Sequence, residues 1–127
     1  MEKRIYFYDT DAGGVVYYGN YLQYLEEART EFLESKGLSV ASFMERGLLY
    51  AVSKCTIEYK SPARYGETLV CKASLKESTA VKFIFEQTIH EKKTNRLVVQ
   101  AEVILVCLNK STFKPTVIPE DLKAKLS

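Results

Sequence analysis

The sequence predicts an α+β fold: a curved antiparallel sheet of about five strands wrapped around one long helix. Three observations predict it. Apolar residues recur at helical spacing in one long stretch only, at Tyr21, Leu25, Ala28 and Phe32, joined by Leu22 and Leu33. Four later stretches alternate apolar and polar residues with period two, the mark of strands packed on one side. A shorter alternating run precedes the helix. One helix fills the concave side of such a sheet only if the sheet curls around it.

Each element follows from its residues. Glu2 to Tyr8 reads as a first strand, with Ile5 and Phe7 on one parity. The segment 9–14 is a turn. The helix is expected from about Gly19 to Lys36, with Gly37 where a C-cap belongs. Ser39 to Arg46 reads as a short second helix closed by Gly47. In the next strand Leu49, Ala51, Ser53, Cys55, Ile57 and Tyr59 share one face. Pro62 and Gly66 bracket a turn. Leu69, Cys71, Ala73 and Leu75 then alternate with polar residues, as do Val81, Phe83, Phe85 and Ile89. A polar hairpin turn, Glu91 to Asn95, leads to Leu97, Val99, Ala101, Val103, Leu105 and Cys107. Pro119 to Leu126 reads as a short terminal helix. The four later strands are expected to run as a meander. The last is apolar on both parities near its end, where Ile104, Val106 and Leu108 join the main face. Either a second copy, paired edge to edge with the last strand, or the terminal helix is expected to cover that extra face.

Composition narrows the class. A length of 127 residues implies one domain, 1–127, without repeats. Hydrophobic content of 46% with 27% charged residues excludes a disordered chain. A net charge of +2 is too weak to argue for nucleic acid. Cys55, Cys71 and Cys107 are odd in number, form no CxxC and have no His cluster nearby. They read as three buried free thiols in a reducing cytoplasm, and no metal site or other cofactor is expected. Met1 to Tyr8 is charged and has no apolar core of a signal peptide, and no stretch approaches a membrane span. The expectation is a soluble cytoplasmic protein.

The stretch "YDTDAGGVVYYGNYLQYLEEART", Tyr8 to Thr30, carries the chemistry. Asp9 and Asp11 precede Gly13-Gly14, and the helix follows at once. Glycines admit positive φ and close backbone approach. The first turn of a helix offers unpaired N–H groups and a positive dipole end, which polarise a carbonyl or hold an oxyanion. A carboxylate beside it attacks the carbonyl carbon or activates water. The plainer reading is an Asx-type turn in which both acids cap backbone N–H groups. Calcium is disfavoured, since EF-hand spacing is absent.

That stretch resembles the signature of the 4-hydroxybenzoyl-CoA thioesterase family of hotdog-fold acyl-CoA thioesterases, nearest to the Tol–Pal-associated group. "YKSPARYGETL", Tyr59 to Leu69, is similar to the family's strand-turn-strand segment. The resemblance spans nearly the whole chain. It implies a hotdog domain and hydrolysis of an acyl-CoA to free acid and CoA. Asp11 matches the catalytic carboxylate, as nucleophile or general base. Asp9 matches an acid read as structural. The backbone N–H of Tyr18 matches the amide that polarises the thioester carbonyl, and Gly14 the glycine that turns the chain into the helix. Asn20 and Tyr21 match the motif's Asn-Tyr. The group commonly carries His where this chain has Tyr18; the amide role does not use the side chain. Pairs of dimers are common in the family, so a homodimer or homotetramer is implied, with an acyl pocket between the helices of two subunits walled by Tyr17 and Tyr18. Lys60, Arg64 and Lys82 are candidates for the phosphates of CoA. The alternative on the same fold is a module that binds acyl-CoA or an acyl-carrier protein without turnover. His90, the sole histidine, lies on a polar parity and reads as solvent-facing. Lys92, Lys93 and Arg96 read as a solubilising turn.

Overall fold

The computed structural model describes residues 1–126. Strand β1 (Glu2–Arg4) leads through a 3-10 turn (Phe7–Asp9) and a loop into helix α1 (Asn20–Ser35). A short α2 (Val40–Glu45) follows. Strands β2 (Leu48–Tyr59), β3 (Thr68–Ser78), β4 (Lys82–Glu91) and β5 (Leu97–Asn109) come next, and α3 (Glu120–Ala124) closes the chain. All strands form one antiparallel sheet in the order β1-β3-β4-β5-β2.

The expected meander holds for β3, β4 and β5 but not for β2. β2 pairs with β5 instead of β3, Ile57 facing Ala101. The chain therefore crosses from the β2 edge over the sheet to β3, which lies beside the opposite edge strand β1. Two consequences correct the sequence reading. First, β5 is an interior strand and cannot be the edge at which copies join. Second, the free edges are β1, three charged residues, and β2, twelve residues long. A long unpaired edge is a surface for pairing, whereas short charged edges resist it.

The first strand is also shorter than its alternation implied. Ile5 is fully buried, but Phe7 is 78% exposed. The carboxylate of Asp9 accepts the Tyr6 N–H at 2.9 Å and curls the backbone out of the strand. In β2 the shared face breaks midway. Leu48 and Tyr50 pack into the core, and so do Cys55 and Ile57, on the opposite parity. The register slips between Val52 and Lys54, so Ser53 is a bulge residue that switches the faces. α3 does not cover the second face of β5. Its Leu122, with Ile118 and Leu126, packs into the helix-side core beside Phe83 and Cys107. Ile104, Val106 and Leu108 stay half-buried on the outer face.

The core lies between α1 and the concave face, in two clusters. One gathers Ile5, Val16, Tyr21, Leu25 and Ala28 against Leu69, Ile89 and Val99. The other gathers Leu33, Leu38 and Phe43 against Phe83, Phe85 and Leu105. Cys71 and Cys107 are buried thiols, while Cys55 is only half-buried.

Candidate active site

Residues 10–16 make a small hairpin. Thr10 and Val16 are bridged, the Asp11 N–H donates to Val15 O at 2.9 Å, and the Gly14 N–H donates to Asp11 O at 3.0 Å. Gly14 turns the chain at φ +77°, a conformation L side chains avoid. The Val16 N–H then donates to Ala63 O at 2.9 Å, which lays this tongue against the β2–β3 turn. Glu67 and Arg96 hold that turn: Nη2 of Arg96 donates to both Glu67 oxygens at 3.0 Å and to Pro62 O at 3.0 Å, and its Nε donates to Ser61 Oγ. Arg96 is therefore a clamp and not a solubilising residue. Nothing local in the sequence marks it, because Glu67 lies 29 residues away.

The two acids divide by burial. Asp9 is 4% exposed. Its carboxylate accepts the Tyr6 N–H and the Tyr24 hydroxyl, at 2.9 and 3.0 Å. Its backbone oxygen accepts the Tyr17 N–H and Nδ2 of Asn20, both at 3.1 Å. Burial first, and the Asp9 carboxylate second, push the Tyr24 phenol well above its ordinary range. Asp11 is exposed. Its Oδ1 accepts the Gly13 N–H at 2.9 Å, an Asx turn, and its Oδ2 has no partner among the described residues.

Helix α1 begins without a side-chain cap and without an acid in its first turn. The Tyr17 N–H is spent on Asp9, and the Asn20 N–H on Tyr17 O at 2.9 Å. Between them, the Tyr18 and Gly19 N–H groups have no hydrogen-bond partner among the described residues. An open donor at the positive end of a helix suits a carbonyl oxygen that gains charge. Aromatic rings fence this point. Tyr17 and Tyr18 lie 4.9 Å apart, and Tyr18 meets Tyr59 edge-on at 6.2 Å. The Tyr17 ring also covers Gly19, where a Cβ would come within 2.8 Å of it. The hydroxyl of Tyr21 accepts the Ala63 N–H at 3.1 Å, tying the helix to the same turn.

The structure brings Asp11, Gly14, Tyr17 and Tyr18 into one loop and lays Arg64 beside it, through the Val15–Arg64 bridge. Lys60, at the end of β2, pairs with Glu58 at 2.9 Å. Lys82 is not with them. It starts β4 opposite Val106, at the far end of the sheet from Tyr59 and Val99. His90 is half-buried on the outer face opposite Val70. Burial pushes the Cys71 thiol up to about 12, which removes it from chemistry at neutral pH. A cavity of about 860 Å³ is lined by Ala28, Phe32, Gln87 and further residues of β2, β3, β4 and β5, and none of Asp11, Gly14, Tyr17 and Tyr18 touches it. In a single chain the candidate site is an open surface.

Sequence reasoning missed Tyr24, Arg29 and Gln87 as well as Arg96. Arg29 left a signal, since it stands at core spacing between Leu25 and Leu33 on the helix.

Comparison with known proteins bears on this arrangement. The family model described as "Thioesterase-like superfamily" matches residues 5–126. "Acyl-CoA thioester hydrolase YbgC" of Shigella flexneri is 35% identical over 122 residues, which cover 96% of this chain and 90% of that protein. "Acyl-CoA thioesterase YbgC" of Haemophilus influenzae is 31% identical, covering 95% and 88%. Among solved structures, Slr0204, a 1,4-dihydroxy-2-naphthoyl-CoA thioesterase from Synechocystis, superposes with a TM-score of 0.90 at 25% identity, covering 99% of this chain and 93% of that one. The curled five-stranded sheet around one long helix is the hotdog fold that the sequence resemblance implied.

Proposed function

Because the chain belongs to the thioesterase-like superfamily, we propose that it cleaves acyl-CoA through Asp11 and the amide that precedes α1. It is an acyl-CoA thioester hydrolase; the part each residue takes is our reading. The observation that carries it is the unspent Tyr18 N–H, which follows a loop whose exposed carboxylate keeps one oxygen free. The thioester carbonyl oxygen accepts from the Tyr18 N–H, and the helix end draws charge from the carbonyl carbon. Asp11 then acts in one of two ways. As a nucleophile, its oxygen bonds to the acyl carbon and the C–S bond breaks, giving an anhydride and a CoA thiolate that takes a proton from solvent; water then splits the anhydride and restores the carboxylate. As a general base, it takes a proton from water as the water attacks, and the tetrahedral oxyanion collapses with loss of the thiolate. Either route consumes one water and yields an acid and a thiol.

A second copy completes the site in this reading. The free β2 edge is the pairing surface. Antiparallel pairing of two identical β2 strands sets each Tyr59 end beside the second copy's Leu48 end. That end of the sheet also carries Lys82. Arg64 and Lys60 of one chain and Lys82 of the other then serve the phosphates of CoA. Two such dimers make the tetramer implied by the resemblance.

The test is thiol release from short, medium, long and aromatic acyl-CoAs by wild type and Asp11→Asn. Asp11 makes no buried contact, so the variant folds as wild type by circular dichroism. Hydrolysis falls by about two orders of magnitude or more. Near-wild-type turnover in the variant would remove Asp11 from the mechanism. Tight binding without turnover in both proteins would favour the binding module.

A further inference from the structure

The two core clusters do not meet seamlessly. Between them lie Arg29, 9% exposed, and Gln87, 1% exposed. Arg29 Nη1 donates to Gln87 Oε1 at 3.2 Å, and Gln87 Nε2 donates to Leu25 O at 2.9 Å. No carboxylate among the described residues stands within ion-pair distance of Arg29. A leucine or methionine at this position of the helix would complete one continuous core. The chain instead buries a cation whose nearest opposite charge, the exposed Glu26, makes no ion pair with it, which is costly unless something else pairs with it.

The guanidinium borders a cavity of about 300 Å³ between α1 and β2, walled also by Glu26, Thr30, Leu33, Tyr50 and Val52. No buried side-chain nitrogen among the described residues lacks a partner, so the Arg29 donors that Gln87 leaves free are not sealed off. The cavity lies along the face of α1 that leads back toward Tyr18. On α1, Leu22, Glu26, Arg29 and Leu33 recur at helical spacing below Tyr18. On the facing strand, Tyr59 meets the Tyr18 ring at one end and Tyr50 lines the cavity at the other. From position 18 to position 29 is about 16 Å of helix axis, shortened because helical side chains lean back toward the N-terminus. Glu26 is exposed on the rim, where solvent and salt screen it.

Resting on the thioesterase reading above, we propose that this cavity takes the far end of the acyl group, and that Arg29 selects acyl chains ending in a carboxylate over plain alkyl chains. The carboxylate supplies the missing counter-charge, and the walls formed by Leu33, Val40, Val52 and Leu105 take the methylenes before it. The guanidinium does not touch the reacting carbonyl; it sets specificity.

The experiment compares matched pairs: suberoyl-CoA against octanoyl-CoA, and dodecanedioyl-CoA against dodecanoyl-CoA. In wild type, kcat/KM for the dicarboxylic member of at least one pair exceeds that of its alkyl partner by about tenfold or more. Arg29→Met reverses the order, mainly through KM, and Arg29→Lys keeps part of the preference. Thr30→Glu changes a half-buried residue of α1 that borders the same cavity and lies off the β2 edge, so it folds even if Arg29→Met does not; its new carboxylate abolishes the preference and spares alkyl hydrolysis. Hydrolysis of all four without preference, or an alkyl preference in wild type, overturns the inference and leaves the thioesterase reading standing. No thiol release from any acyl-CoA, these four included, overturns both.

Discussion

At the scale of single residues, the loop before α1 separates two jobs that look alike in sequence. Asp9 spends both carboxylate oxygens and its backbone oxygen on holding the loop. Asp11 spends one oxygen on Gly13 and presents the other outward. Tyr24→Phe strips one donor from a buried carboxylate and should cost about 1–3 kcal/mol in urea unfolding. Part of the activity should go with it, because Asp9 also positions Tyr17 and Asn20. Gly14→Ala forces a side chain into φ +77° and should cost about 1–2 kcal/mol by the same measurement. Gly19→Ala keeps a backbone conformation that alanine adopts freely but must push the Tyr17 ring aside. Its expected signature is a kcat/KM loss with stability nearly unchanged, read from kinetics and thermal melts together. An equal fall in both would assign Gly19 to folding alone.

At the scale of elements, turns and bulges decide which faces meet. The β4–β5 turn is organised by Glu91, whose carboxylate accepts the Lys93 and Thr94 N–H groups at 2.8 and 2.9 Å and the Thr94 hydroxyl at 2.8 Å. The backbone bonds to Lys93 and Thr94 hold this carboxyl below its ordinary range. A depressed folded value means a stabilisation present above the ordinary Glu range and lost as pH falls through the folded one. Glu91→Gln should therefore lower stability at pH 7 and flatten its decline under acid, measured by denaturation at pH 7 and at about pH 3. Parallel stability curves for the two proteins would exclude this role. The Ser53 bulge acts similarly on β2, turning Leu48 and Tyr50 to the core on one parity and Cys55 and Ile57 on the other.

At the scale of the whole molecule, the crossover that pairs β2 with β5 leaves the longest free edge next to the start of α1. No helix of the described residues is long and apolar enough to cross a membrane. The candidate site is open on the side of that edge, and a second copy laid along β2 would wall it. Val52 is half-exposed there. Val52→Lys puts a charge on the edge, and edge charges oppose pairing. Sedimentation should then show a shift toward monomer, with specific activity falling as the protein is diluted. A monomeric wild type with full activity would show that one chain suffices.

Local periodicity and turn chemistry are legible residue by residue. The long helix came within one residue at each end, because its apolar spacing and Gly37 are local signals. The curled sheet, the Gly14 turn and the loop bearing Asp11 were legible for the same reason. Only the tertiary structure decided the placement of β2, the burial of Asp9 against Tyr24, the Arg96 clamp and the buried Arg29. Each depends on partners distant in the chain, such as Glu67 for Arg96 and Gln87 for Arg29. Local patterns name the elements, but strand order and buried polar pairing are long-range choices made by which faces can be covered together.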